Sequence, residues 1–150
     1  MAQTIAVVLV THNSQAVLAR CLAALNKQTV QADAIIIVDS GSTDKNYLQS
    51  YQEQHGLRVL FQENIGFSRA NNLGWRAIHQ QTDFVLFLNP DAFPAPDSFE
   101  RALAFLNKNP AVACVGGRLS GFAIATKQAS GLLDSTGVFR KWFGRWTGKI

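Results

Sequence analysis

Four short polar clusters carry the residue types that could do chemistry in this chain: Thr11-His12-Asn13-Ser14, Asp39-Ser40-Gly41-Ser42-Thr43-Asp44, Asn64-Ile65-Gly66-Phe67-Ser68 and Asn89-Pro90-Asp91. Carboxylate oxygen is the donor that Mg²⁺ or Mn²⁺ prefers, so Asp39, Asp44 and Asp91 are candidates for an anionic ligand bridged by a hard cation. Converging acids repel unless a cation or a ligand donor sits between them. Pro90 disfavours helix at Asn89, which offers the side chains of Asn89 and Asp91 where an apolar run opens into a loop. The competing reading makes Asp91 a turn residue that caps the next segment. His12 is the histidine nearest these clusters, whereas His55 and His79 fall at helix ends and read as solvated.

Each cluster follows an apolar run, and the runs are what must position it. Ile5 to Val10, Ala34 to Val38, Leu57 to Phe61 and Phe84 to Leu88 read as buried strands, the third nearer an edge and the fourth covered on both faces. Ala111 to Val115 reads as a fifth. Between them lie helical spacings: Val17, Leu18, Cys21, Leu22 and Leu25 behind an N-cap at Ser14; Tyr47, Leu48 and Tyr51; Ala70, Leu73, Ala77 and Ile78; and Phe99, Leu103 and Leu106 behind a capping box from Asp97 to Glu100. Strand and helix alternate, which predicts an α/β fold with a mostly parallel sheet and helices on both faces. In such sheets ligands bind outside the carboxyl ends of the strands, where all four clusters would meet. Helix N-termini there could receive phosphate.

Composition sets the bounds. The 150 residues are 47% apolar, enough for one core, and no run approaches the roughly 18 apolar residues of a membrane span. No secretory leader is legible at the start, Cys21 and Cys114 lie far apart in apolar contexts, and both read as buried free thiols in a reducing cytoplasm. The net charge of +4 comes entirely from Arg140, Lys141, Arg145 and Lys149. That aromatic and basic tail could touch an anionic membrane surface or nucleic acid, but it reads better as a loop leading onward, without a nucleic-acid partner. The dinucleotide fingerprint and the NTPase phosphate loop are both missing. An aspartyl-phosphate mechanism through Asp39 would resemble Asp-x-Asp, and position 41 is Gly.

With those residues in place, the chain resembles an inverting family 2 glycosyltransferase of the GT-A fold. The resemblance covers Ile5 to Gly117 and rests on Val8 to Ser14, Val38 to Asp44, Asn64 to Asn72 and Leu88 to Ala92; the Gly-Phe and Asn-Pro-Asp forms look most like bacterial rhamnosyltransferases of cell-envelope polysaccharide synthesis. It implies residues 1–117 as a nucleotide-sugar-binding domain and 118–150 as the start of a truncated acceptor-side region. Thr11 and Asn13 would line the base and ribose site, Asp39 would accept a hydrogen bond from a pyrimidine imide, and Asn64, Asn71 and Asn89 would complete nucleotide binding. Asp91 would hold Mg²⁺ or Mn²⁺ on the diphosphate. Asn89 replaces an acid usual in the family, and Asn71 stands where many relatives carry a phosphate-binding Arg.

The implied reaction transfers a sugar, rhamnose or a related one, from a dTDP- or UDP-sugar to a saccharide or lipid-linked acceptor with inversion, in the cytoplasm or at the inner face of the membrane. The general base is expected beyond Ile150, Asp134 being the sole acid after Gly117. The chain alone should therefore bind donor and transfer poorly, and its uncovered apolar surface should favour self-association into a homo-oligomer. The alternatives are a non-catalytic nucleotide-binding module and, further off, a nucleotidyltransferase, which would want more basic residues near the first strand.

Overall fold

The protein's structure is a computed structural model that describes residues 3–52, 54–78, 81–123, 128–135, 138–140 and 146–148. Two compact units make up the chain, Met1–Glu100 and Arg101–Ile150.

The first unit is built on β1 (Ile5–Thr11), whose seven residues are all buried. Beside it lie β2 (Ala34–Ser40), β3 (Leu57–Gln62) and β4 (Phe84–Leu88), in the order β3-β2-β1-β4 and all parallel. The connections carry α1 (Leu18–Leu25), α2 (Asn46–Gln49) and α3 (Phe67–Arg76). Right-handed crossovers that run outward from β1 to β3 and then return to β4 must place α1 and α3 on opposite faces. Leu18, Cys21, Leu22 and Leu25 form the buried stripe of α1, at the spacing the sequence predicts. Ala70 of α3 packs with Val10, Ile36, Val38 and Ala77, and Leu73 and Ile78 close against that cluster. Gly74 lets α3 come down on the sheet, because a Cβ there would sit on Val8 Cγ1 and 3.2 Å from Val38 Cγ2.

Four expectations need correction. β4 is an edge strand among the described elements, and its Phe87 is 51% exposed rather than covered on both faces. Residues 112–118 form no strand: among the described residues Ala111 to Val115 finds no strand to pair with, and a strand needs a ladder to satisfy its backbone groups. In that stretch Cys114 is exposed, so Cys21 alone is a buried thiol. Ser14 does not cap α1 with its side chain. Its carbonyl accepts from the Val17 and Leu18 N–H groups, while its hydroxyl bonds within its own loop to His12 N–H and His12 C=O.

The second unit begins within α4 (Ser98–Lys108) and continues into two antiparallel pairs, β5 (Leu119–Ala123) with β6 (Gln128–Ser135) and β7 (Val138–Arg140) with β8 (Trp146–Gly148). Among the described residues no helix is long and apolar enough to cross a membrane.

Candidate functional site

The four polar clusters do stand at the carboxyl ends of β1, β2, β3 and β4, on one edge of the sheet. The strand order reverses between β1 and β4, and a reversal of this kind opens the crevice in which open α/β sheets bind ligands. Thr11 to Ser14 border one side of it and Asn89 to Asp91 the other.

Between β1 and β2 the loops are stitched together by a buried carboxylate. Asp39 is fully buried, and its Oδ1 accepts from the Thr11 hydroxyl at 3.2 Å and from the Ser42 hydroxyl. Its Oδ2 accepts from the Ser42 N–H at 3.1 Å. A carboxylate offers about four acceptor positions, so one on Oδ2 stays uncommitted. Ser42 Oγ also accepts the Asn13 N–H at 2.8 Å and lies 3.2 Å from the Tyr47 hydroxyl, which takes the Ser14 N–H at 3.3 Å. Asn13 holds a left-handed backbone (φ 50°), a conformation that Asn tolerates better than most residues, and its Oδ1 accepts the Thr43 N–H at 2.9 Å. His12 Nδ1 lies 3.0 Å from the Ser40 carbonyl, so that nitrogen carries the proton and donates.

The second and third clusters lock in the same way. Gly41 (φ 79°) must be glycine, since a Cβ would meet Asn64 N at 2.8 Å. The Ser40 hydroxyl accepts the Ile65 N–H at 3.2 Å, and Asn64 Oδ1 accepts the Gly66 N–H at 3.2 Å. Asn71 turns its amide back to the Phe67 carbonyl of its own helix at 3.1 Å. Asp44 is exposed and binds the Asn46 N–H at 2.8 Å, which makes it a local turn residue.

Across the reversal, Asn89 and Asp91 are exposed, and neither side chain has a hydrogen-bond partner among the described residues. Their loop is held by α1 and by the turn that follows it. Cys21 Sγ points to the Asn89 carbonyl at 3.9 Å, and burial first, then the Asp91 charge, pushes its thiol up to about 12, so it stays a neutral donor. The Gln28 amide nitrogen donates to the Ala95 carbonyl at 2.7 Å and the Ala24 carbonyl at 3.2 Å, and its oxygen takes the Phe99 N–H at 3.2 Å. The sequence signals neither Gln28 nor the hub formed by Ser42 and Tyr47, because their partners come from other loops.

The three carboxylates therefore do not meet. β1 separates β2 from β4, which sets their strand ends about 10 Å apart, and no group of three His, Cys, Asp or Glu among the described residues could hold a metal. The donor set does fit a cation that arrives with a ligand: Mg²⁺ or Mn²⁺ is commonly held by one or two carboxylates plus substrate phosphates, and Asp91 supplies one open carboxylate. A separate cavity, lined by Trp75, Arg76, Ile78, Gln81 and Thr82, lies at the opposite end of β4 and touches none of these residues.

A family model described as Glycosyl transferase family 2 matches residues 6–141. Validoxylamine A glucosyltransferase of Streptomyces hygroscopicus subsp. limoneus is 29% identical over 104 residues, 67% of this chain and 23% of that protein. The O-antigen chain rhamnosyltransferase WbaN of Salmonella anatum is 36% identical over 95 residues, 61% of this chain and 29% of that protein. The chain thus spans less than a third of either relative. Among solved structures, the mannosyltransferase PcManGT from Pyrobaculum calidifontis, in complex with GDP-Man and Mn²⁺, is similar with a TM-score of 0.65 and 26% identity, over 78% of this chain and 36% of that one.

Proposed function

The chain belongs to glycosyl transferase family 2, and from that premise we propose that it binds a nucleoside diphosphate sugar across the carboxyl ends of β1 to β4. The observation that carries this reading is the reversal of strand order between β1 and β4, with Asn89 and Asp91 exposed beside it. In this assignment the nucleoside lies toward β1 and β2, where Thr11 and Asn13 shape its pocket. The ring N–H of uracil or thymine goes to the uncommitted position on Asp39 Oδ2. Because the Asp39 side chain is closed to solvent, a base reaches that position by shifting the Ser42 N–H aside on Oδ2, while the Ser42 hydroxyl stays on Oδ1 and keeps the turn closed. Asn64 and Asn71 border the crevice from the β3 side, and Asn89 faces the ribose.

Asp91 would hold Mg²⁺ or Mn²⁺ on the diphosphate. That cation, when bound, would stabilise the negative charge that develops on the departing diphosphate. Rhamnose or a related sugar would pass to a saccharide or lipid-linked acceptor with inversion, a reading supported by the rhamnosyltransferase among the relatives. We assign these residues to the donor side and give none of them the deprotonation of the acceptor hydroxyl.

The test is calorimetric titration with uridine, thymidine, guanosine and adenosine diphosphates in the presence of Mn²⁺. Uridine or thymidine diphosphate should bind well above adenosine diphosphate, since adenine offers no ring N–H, and Asp39→Ala should erase the preference. Guanine shares that donor, so guanosine diphosphate reports whether pocket size adds to the selection. No binding of any of the four would refute the proposal.

A further inference from the structure

Asp39 determines every donor direction in the network around it. A carboxylate can only accept, so the Ser42 hydroxyl must give its proton to Asp39 Oδ1. Ser42 Oγ then has only lone pairs to offer, and it accepts both the Asn13 N–H and the Tyr47 hydroxyl proton. The Tyr47 oxygen in turn accepts the Ser14 N–H. The result is a one-way chain, Tyr47 to Ser42 to Asp39, tied at two points to the β1 loop. Bonds in such chains polarise and strengthen one another. Ser42 is 5% exposed and Asp39 is fully buried, so water does not compete for these positions.

This arrangement bears on base choice. A base that enters at Asp39 Oδ2 disturbs the Ser42 N–H bond there. A ring N–H replaces what is lost, whereas adenine leaves a buried carboxylate oxygen short of a donor, which is the costly outcome. The penalty against adenine lasts only while the turn stays closed, and the turn is closed by the Ser42 and Tyr47 hydroxyls. We propose that Ser42 and Tyr47 are positioning residues that set the base specificity of the nucleotide site, acting through Asp39; the inference rests on the donor-site reading above.

The test compares the affinity ratio of uridine diphosphate to adenosine diphosphate, in Mn²⁺, for the unmodified chain, Tyr47→Phe and Ser42→Ala. Tyr47→Phe removes one oxygen and keeps the ring, and its ratio should fall about 3- to 10-fold, the range of one hydrogen bond. Ser42→Ala, which removes the hub, should fall further, and adding Tyr47→Phe to it should change little more. The Mn²⁺ requirement should persist in all three variants, because Asp91 stands across the reversal. A purely structural role would weaken both nucleotides alike. An unmodified chain that discriminates, with ratios unchanged in the folded variants, overturns the inference and leaves the donor site standing. An unmodified chain that binds both nucleotides equally removes Asp39 from base recognition, and this inference with it.

Discussion

Gly74→Ala sets two effects of known size against each other. Gly in a helix interior is about 1 kcal/mol worse than Ala, so on propensity alone the change should stabilise α3. The new Cβ, however, would fall on Val8 Cγ1 and lie 3.2 Å from Val38 Cγ2. Both valines are fully buried on the central strands, and branching at Cβ leaves them few alternative rotamers. The helix must therefore lift or the sheet must give, and overpacking of this kind costs about 1–3 kcal/mol. An overlap with a buried β-branched side chain belongs at the upper end of that range, about 2–3 kcal/mol, so after the propensity gain the net expectation is a loss of roughly 1–2 kcal/mol. Urea unfolding monitored by circular dichroism measures it directly, with an unchanged m-value showing that both states keep their compactness. Val8→Ala alone should also destabilise by opening a cavity, yet the pair Gly74→Ala with Val8→Ala should lose less than the sum, because the second change vacates the space the first needs. A Gly74→Ala chain as stable as the original would show that α3 does not rest on β1 and β2 as described.

Other residues give independent checks. Gln28→Leu should cost about 1–3 kcal/mol in the same assay, because the Phe99 N–H and the Ala95 carbonyl lose their buried partner; an unchanged midpoint would mean the loop after β4 is not pinned to the turn after α1. Iodoacetamide at neutral pH should modify the exposed Cys114 and spare Cys21 until denaturant is added, as mass spectrometry of the fragments would reveal. Cys21 also fixes an alkaline limit. Its pKa is raised in the folded state to about 12, so its contribution is intact below the unfolded value of about 8.5 and declines as pH rises towards 12. Cys21→Ala should flatten the alkaline arm of the stability profile, and an identical arm would contradict the burial argument.

The fold was legible wherever a segment's pattern needed only its own residues. Ile5 to Val10 declares β1 by continuous apolarity, and Ala70 to Ile78 declares the inner face of α3 by spacing, since burial imposes those periods locally. Ala111 to Val115 misleads for the same reason: its apolarity suits a strand, but a strand exists only with a neighbour to pair. The site was legible as a set of loops, because a parallel sheet sends every strand's carboxyl end to one edge. Its internal wiring was not. Ser42 and Tyr47 look like turn and helix-face residues, and their meaning depends on Asn13 and Ser14, about 30 positions earlier. Nor does a sequence say that β1 will stand between β2 and β4, which separates Asp39 from Asp91.

The central claim, that Asp91 holds a divalent cation on a nucleoside diphosphate at the β1–β4 reversal, is tested most directly by titrating uridine diphosphate into the chain and into Asp91→Asn, each with Mn²⁺ and with chelator. Asp91 is an exposed loop residue, so the substitution should leave stability within about 0.5 kcal/mol. Mn²⁺-dependent binding is expected of the unmodified chain, with none of that dependence in Asp91→Asn. Equal Mn²⁺-dependent binding by both would contradict it and make Asp91 a turn residue.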